Sequence, residues 1–160
     1  MILITLGTQD KPFSRLLEKV EEQIIRGIIT DTVVVQAGCT KYKTDKMQLF
    51  DFLPMDKFNE LTEKAELIIT HGGVGSIVNA LKLSKKVIAC PRLSKYGEHT
   101  NDHQLQITGA LSRGGYILEL GEEDELDKLL KKARRFEPKK FQSNRENMLS
   151  LVEQSIDSFL

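Results

Sequence analysis

The chain contains no tryptophan, only two cysteines and four prolines, and aromatic residues make up 6% of its 160 residues. Cys39 and Cys90 form no C-x-x-C pair, which argues against a disulfide framework and indicates a reducing compartment. No run reaches the roughly 18 apolar residues that cross a bilayer, and no basic leader opens the sequence. We therefore expect a soluble, cytoplasmic chain.

Net charge is also missing, because 23 Lys and Arg balance 23 Asp and Glu. Without an overall positive field, the composition argues against a nucleic-acid-binding protein. The one local asymmetry is the basic run 128–140. It predicts either a solvated helix face or a face that rests near anionic lipid.

Short apolar segments alternate with segments of helical period along the whole chain, which is typical of a parallel sheet crossed by helices. We therefore expect an α/β fold with a Rossmann-like, doubly wound parallel sheet, and a single domain over residues 1–160. Strands are predicted at 2–6, 32–36, 67–70, 87–90 and 116–120, with a weaker one at 48–52. Helices are predicted at 13–24, 76–83, 103–111 and 125–133. An amphipathic terminal helix is predicted after Phe141, with an apolar stripe of Met148, Val152, Ile156 and Phe159.

The most informative segment is a mid-chain apolar strand that enters a glycine-rich turn and then a helix. Gly72, Gly73 and Gly75 let backbone N–H groups approach a ligand, and the positive end of the helix points to the same place. Ser76 adds a hydroxyl donor. The pattern predicts a phosphate cradle, although a simple tight connection has the same glycines. No Gly-Lys-Ser/Thr follows the turn, which disfavours a Walker loop. The dinucleotide-binding fingerprint needs a third glycine where this chain has Val78, which disfavours an ordinary Rossmann dehydrogenase.

A second turn of small residues, Gly7, Thr8 and Gln9, follows the first predicted strand. Such turns lie at the carboxyl edge of a doubly wound sheet. We therefore expect the two turns to hold one diphosphate from two sides.

A polar segment follows the strand that ends at Cys90. Donors and acceptors of several kinds within six residues are suited to a polyhydroxylated ligand. A hydrophilic loop with Asn101 or Asp102 as helix cap is the plainer alternative. A metal site built on two of the histidines lacks a third ligand at a convincing spacing. The polar residues are His99, Asn101, Asp102, His103 and Gln104.

Taken in order, three segments resemble the C-terminal, donor-binding domain of family 28 glycosyltransferases. The resemblance covers almost the whole chain. It is strongest to short, single-lobed catalytic subunits of two-chain enzymes, in dolichol-linked oligosaccharide synthesis and in bacterial capsular and exopolysaccharide assembly. The run from Pro91 to His99 looks like the bacterial branch. The three segments are Gly7-Thr8-Gln9, Thr70-His-Gly-Gly-Val-Gly-Ser-Ile and Glu98-His-Thr-Asn-Asp-His-Gln.

The resemblance implies the C-terminal half of a GT-B fold, completed by a membrane-associated partner that supplies the acceptor lobe and holds the chain at the inner face of the membrane. The terminal helix would pack across to that lobe. The implied activity is an inverting, UDP-sugar-dependent hexosyl transfer to a polyprenyl-diphosphate-linked acceptor in capsular or exopolysaccharide biosynthesis, without metal or other cofactor. A non-catalytic nucleotide-binding regulatory module is the alternative.

The resemblance also implies roles for single residues. Thr8 and the turn 72–76 would hold the diphosphate, and the backbone near Leu53 would meet the uracil. Asn79 stands where many relatives have an acid that grips the ribose. His103 and Gln104 would face sugar hydroxyls.

Departure of UDP adds negative charge to the diphosphate in the transition state. We therefore expect the glycine turn to be the main catalytic element, with Arg92 or Lys95 adding positive charge. A general base must also accept the proton of the acceptor hydroxyl. His71 is the candidate within this chain. Its alternatives are a structural role in the turn and a base that lies on the acceptor lobe.

Overall fold

The computed structural model describes residues 1–141. The strands are β1 (Ile2–Thr5), β2 (Val33–Gln36), β3 (Gln48–Phe50), β4 (Leu67–His71), β5 (Lys86–Cys90) and β6 (Leu118–Glu119). The helices are α1 (Ser14–Ile25), α2 (Met55–Lys64), α3 (Val74–Lys82), α4 (His103–Arg113) and α5 (Leu126–Arg135), with a short 3-10 turn at Ser94–Tyr96. The predicted terminal helix lies outside the described residues.

The six strands form one parallel sheet in the order β3-β2-β1-β4-β5-β6. The chain starts in the middle, winds to one edge, and then returns past β1 to build the other half. This arrangement confirms the predicted doubly wound α/β fold. The winding reverses between β1 and β4, and ligands of such sheets bind in the crevice at the carboxyl ends of the strands at this point.

Alternate residues of the central strands pack into two cores, one on each face of the sheet. Ile2 and Ile4 of β1 join the core beneath α1 and α5, whereas Leu3 joins the core beneath α2, α3 and α4. All four residues of β1 are buried. A strand covered on both faces favours apolar side chains at successive positions, which explains the apolar run that precedes Thr5.

Helix α2 is the element that the sequence did not predict. Only Thr62 of its ten residues is buried, while Phe58 and Leu61 pack partly buried against the second core. The apolar stripe is therefore too thin to give a helical period. Pro54 directly before the helix was the available signal, because its fixed φ suits a helix start.

The structure adjusts the predicted ends of the two edge strands. β3 ends at Phe50, and β6 is reduced to Leu118–Glu119. Within residues 1–141, no helix combines the length and the apolar character needed to cross a bilayer.

Candidate functional site

The crevice between β1 and β4 brings the two predicted turns together. Thr5 pairs with Thr70 in the sheet, so the turn after each strand starts at the same level. Gly7 has a φ of +81°, and a Cβ atom built there would lie 2.7 Å from Cε1 and Nε2 of His71. The first turn therefore packs directly against the second, and only glycine fits at position 7.

The start of α3 is open to the crevice. Among residues 1–141, no side chain caps this helix, and its first backbone hydrogen bond runs from Ile77 N–H to Gly73 O at 3.2 Å. The amides of Val74, Gly75 and Ser76 belong to the first turn, where backbone N–H groups lack intrahelical acceptors. A Cβ atom at Gly75 would meet nothing within 4 Å apart from its chain neighbours and the nearby backbone of its own helix. This end of α3 is thus a place where an anion can approach the main chain.

Gly72 and Gly73 are required for a different reason. A Cβ atom at Gly72 would lie 2.8 Å from Cβ of Gln104, and one at Gly73 would lie 2.2 Å from Cε1 of His71. At both positions, the space that a side chain would need is already occupied by other residues of the protein. Of the three glycines in this turn, Gly75 is therefore the one that faces open space.

His71 is buried at the base of the turn. Its Nδ1 accepts a hydrogen bond from Gly73 N–H at 3.2 Å and lies 3.0 Å from Nε2 of Gln104. Its Nε2 lies 3.3 Å from Oγ of Ser76. Burial, followed by the charge of Arg92, lowers the pKa of His71 to about 4. The ring is therefore neutral at physiological pH.

Gln104 points inward from the first turn of α4. Its Oε1 accepts hydrogen bonds from Gly72 N–H at 2.9 Å and from Arg92 N–H at 3.1 Å, and its Nε2 faces His71. The expectation that this side chain faces sugar hydroxyls does not fit this geometry, because its amide is used by buried backbone groups and the buried ring.

Arg92 is also inside the protein, with 1% of its surface exposed. Its Nη1 donates to the carbonyls of Lys11 at 2.8 Å and Glu98 at 3.0 Å, and its Nη2 donates to that of Leu6. The guanidinium lies 4.9 Å from the centre of the Phe13 ring. Arg92 thus links connections of the carboxyl edge through its hydrogen bonds, and the positive charge expected of it from the sequence is buried.

Arg15 and Glu98 form a contact that the sequence analysis missed. Glu98 accepts from Nε of Arg15 at 3.0 Å and from its Nη2 at 2.9 Å, and it also accepts from Leu93 N–H at 3.0 Å. Nη2 of Arg15 additionally donates to Pro91 O at 3.1 Å. The pair therefore fastens the segment around Arg92 to α1. An arginine beside buried leucines in the first turn of α1 was the only sequence signal.

The polar segment before α4 is held largely by its own hydrogen bonds. His99 Nδ1 accepts from Asn101 N–H at 3.3 Å, and Asn101 Oδ1 accepts from His103 N–H at 3.0 Å. Asp102 Oδ1 accepts from the N–H and the hydroxyl of Ser94, which lowers the pKa of Asp102. Asp102 stands at the N-cap of α4 but makes no side-chain cap hydrogen bond within the described residues, whereas Asn101, one residue earlier, accepts from the N–H of the first helical residue, His103. Within residues 1–141, no group of three His, Cys, Asp or Glu side chains is placed to hold a metal ion.

The remaining predicted residues lie around the same crevice. Thr8 is exposed and Gln9 is half-buried in the β1–α1 turn. Leu53 N–H donates to Gln36 Oε1 at 2.9 Å, so its carbonyl is the backbone group that is left for a ligand. Asn79 is half-buried on α3, and its side chain makes no hydrogen bond to another residue of the described chain.

Comparison with known proteins identifies the family of this chain. Residues 1–158 match the glycosyltransferase family 28 C-terminal domain. The chain belongs to this family. Membership agrees with the resemblance seen in the three glycine and histidine segments.

Relatives of this family 28 domain include two yeast proteins, each named UDP-N-acetylglucosamine transferase subunit ALG13. The chain is 25% identical to the protein of Debaryomyces hansenii over 116 residues, which is 72% of this chain and 52% of the relative. It is 29% identical to that of Candida glabrata over 105 residues, which is 64% of this chain and 48% of the relative. The chain thus spans about half the length of these relatives.

Solved structures share the fold. The solution structure of ALG13 matches with a TM-score of 0.62 and 22% identity, covering 98% of this chain and 96% of that one. A crystal structure of the kitacinnamycin glycotransferase matches with a TM-score of 0.59 and 15% identity, covering 98% of this chain and 37% of that one. The second match shows a fold like this one within a longer chain.

Proposed function

We propose that this family 28 domain is the donor-binding, catalytic subunit of an inverting, UDP-sugar-dependent glycosyltransferase. The observation that carries the proposal is the uncapped start of α3 among the described residues, which presents amides to the crevice between β1 and β4. Amides at a helix start bind phosphate groups without a cationic side chain. Family membership supports a nucleotide-sugar as the ligand.

The donor spans the carboxyl edge of the sheet in this proposal. The diphosphate lies over Gly75 and Ser76, with Thr8 opposite. The uracil lies at the carbonyl of Leu53, and the neighbouring Phe52 ring, 55% exposed, offers a flat apolar surface to a base.

The ribose and the sugar extend from the diphosphate in opposite directions. Asn79 meets the ribose hydroxyls, since an amide both donates and accepts hydrogen bonds. The sugar extends toward the segment of His99, Asn101, Asp102 and His103.

The transfer breaks the bond between the anomeric carbon and the diphosphate oxygen and forms one to the acceptor hydroxyl. UDP leaves with added negative charge, and preorganised amides stabilise that charge without rearranging. The buried charge of Arg92 adds positive potential from behind the turn. A ring with a pKa of about 4 is a weak base, so we place the general base on the partner and not on His71.

Exposed apolar side chains at the carboxyl edge support a partner subunit. Five of the large apolar residues left exposed lie on strand ends, helix starts or loops of this edge, and a covering lobe would bury them. The named relatives are themselves subunits. The five residues are Phe50, Phe52, Met55, Tyr96 and Leu105.

The partner in this proposal is membrane-associated and holds a polyprenyl-diphosphate-linked sugar at the inner face of the membrane. N-acetylglucosamine is the first hexose derivative to test, because the relatives' names specify that sugar. The capsular or exopolysaccharide setting depends on the sequence of residues 91–99 alone.

Titration calorimetry of UDP with the 160-residue chain tests the binding site. Gly75→Val should weaken UDP binding at least about tenfold, or ~1.4 kcal/mol, because the side chain covers the amides. The melting temperature should hold, since the added atoms meet open space. Gly75 is a sharper probe than Gly73, where a side chain would collide with His71.

Lys82→Val at the other end of α3 is the matched control and should bind UDP like the wild type. Equal affinity of wild type and Gly75→Val would remove the diphosphate from this turn. Co-expression with the product of the adjacent open reading frame separates an enzyme from a regulatory module. An enzyme should transfer sugar from UDP-N-acetylglucosamine to a lipid-linked acceptor only with the partner present.

A further inference from the structure

The hydrogen bonds beneath the glycine turn have a defined direction. Gly72 N–H and Arg92 N–H both point to one side-chain atom of Gln104, at 2.9 and 3.1 Å. A backbone N–H only donates, so this atom is the amide oxygen of Gln104. The amide nitrogen must then face His71, and it donates to Nδ1 at 3.0 Å.

This direction fixes the proton on the His71 ring. Nδ1 also receives the N–H of Gly73 at 3.2 Å, so its lone pair is used by two donors. A nitrogen that accepts cannot carry a proton, and a neutral imidazole carries one proton on its other nitrogen. The proton therefore lies on Nε2, which faces Ser76 Oγ at 3.3 Å.

The ring is held in this orientation by its neighbours. Built Cβ atoms at Gly7 and Gly73 would lie 2.7 Å and 2.2 Å from its atoms, so the backbone of both turns packs against it. Turning the ring over would place a carbon where Gly73 N–H and Gln104 now find an acceptor. Two buried donors would lose their partner.

We propose that Gln104 and His71 are positioning residues that orient the Ser76 hydroxyl to donate its hydrogen bond to the diphosphate of the nucleotide-sugar. The inference rests on the proposed function. Because Ser76 Oγ accepts the Nε2–H bond of His71, its own hydrogen is directed elsewhere, and the amides of the α3 start lie beside it. Oxygens of an ionised diphosphate only accept, so a hydroxyl fixed as a donor matches them.

The first test is nitrogen-15 NMR of the imidazole rings in the full chain at pH 7, with His71→Gln to assign the His71 signals. We expect a protonated Nε2 and an unprotonated Nδ1, with and without UDP. A proton on Nδ1, or on both nitrogens, would overturn the inference. A merely space-filling ring would have no reason to hold one tautomer.

The second test is a double-mutant cycle on UDP affinity with Ser76→Ala, Gln104→Leu and the double variant. Ser76→Ala should weaken binding about three- to tenfold, the range of one hydrogen bond. If Gln104 acts through Ser76, its substitution should matter at least about threefold less in the Ser76→Ala background, since coupled residues are not additive. A double variant weakened by the product of the two single effects would contradict this coupling.

A third variant covers the case in which Gln104→Leu does not fold. Gln104→Glu keeps an oxygen for Gly72 and Arg92 but places an acceptor opposite Nδ1. The ring proton should then move to Nδ1, and UDP binding should weaken. An unchanged tautomer in this variant would count against Gln104 as the residue that sets it.

The NMR test of the tautomer and the UDP-binding test can give negative results independently of each other. If the wild-type chain binds no UDP, the proposed function is wrong. In that case a protonated Nε2 would leave the hydrogen-bond direction standing and would remove the diphosphate as the acceptor of Ser76.

Discussion

The helix ends at the two edges of the sheet differ in whether side chains of the protein satisfy their backbone groups. At the amino edge, a cavity of about 340 Å³ is lined by apolar side chains together with Asp31, Glu66, Lys86 and Arg134. Lys86 Nζ donates to Arg134 O at 3.2 Å, so a cation satisfies the last turn of α5. At the carboxyl edge, the first amides of α3 face a crevice without a capping side chain among residues 1–141.

The two edges thus differ in what their helix ends offer a ligand. At the amino edge, Lys86 already serves the last turn of α5. A crevice that leaves its helix start open keeps donors available. Substitutions at the carboxyl edge should therefore weaken nucleotide binding, whereas substitutions at the amino edge should leave it unchanged.

The largest effect is expected for Glu98→Ala at the carboxyl edge. Removing this buried carboxylate takes away the acceptor of Leu93 N–H and the ion-pair partner of Arg15, and we expect a loss of about 3 kcal/mol in the free energy of unfolding. UDP affinity should fall as well, because the segment around Arg92 is no longer fastened. Urea denaturation and calorimetry measure the two losses.

Glu60→Ala is the control for that variant, since Glu60 forms an exposed ion pair with Lys64 at 2.8 Å. It should leave the free energy of unfolding nearly unchanged, because solvent screens an exposed pair. Equal losses in the two variants would show that the buried pair contributes no more than a surface pair.

The next effect is a dependence of stability on pH that arises at His71. Its pKa is about 4 in the folded chain against an ordinary value of 6.5, so the unfolded chain binds more protons between these values. The free energy of unfolding should therefore rise with pH from 4 to 6.5 and be lost on acidification, by roughly 3 kcal/mol. Denaturation curves across this range measure the slope.

His71→Gln is the comparison for that slope, because it removes the titrating ring. The remaining slope should be smaller, with a contribution from His99, whose pKa is also lowered, chiefly by burial. The same slope in both chains would place the acid sensitivity elsewhere.

The smallest effect is expected at the amino edge. Lys86→Met removes the cation on the last turn of α5 but leaves the crevice intact, so UDP affinity should equal that of the wild type. The free energy of unfolding should fall by less than about 1 kcal/mol. UDP affinity is measured in this variant and in Gly75→Val side by side. A loss of affinity in Lys86→Met would indicate that the nucleotide binds at the amino edge and not at the carboxyl edge as proposed.

The elements that could be predicted from the sequence are those whose apolar residues follow a regular period. Five apolar strands, a weaker sixth and four of the five helices follow from periodicity, and the position of both turns follows from parallel topology. Helix α2 was not predicted, because too few of its residues are buried to give an apolar pattern of helical period. The sheet order, with the switch between β1 and β4, became visible only in the structure.

The roles of polar residues were harder to predict than the place of the turns. Arg92 and Gln104 are residue types that bind ligands, and the same types satisfy buried backbone groups. Which of these roles a side chain has depends on distant partners, as with Arg15 and Glu98, which are 83 positions apart. The open space at Gly75 and the filled space at Gly73 likewise have identical sequence signatures.

The imidazole wedged between two turns also constrains how this chain can change over time. Any side chain at position 73 would occupy volume that the ring of His71 already fills. A smaller residue at position 71 must therefore come first, and a replacement of Gly73 is tolerated only afterwards. Substitution of His71 followed by substitution of Gly73 should accordingly be tolerated, whereas substitution of Gly73 first should be harmful.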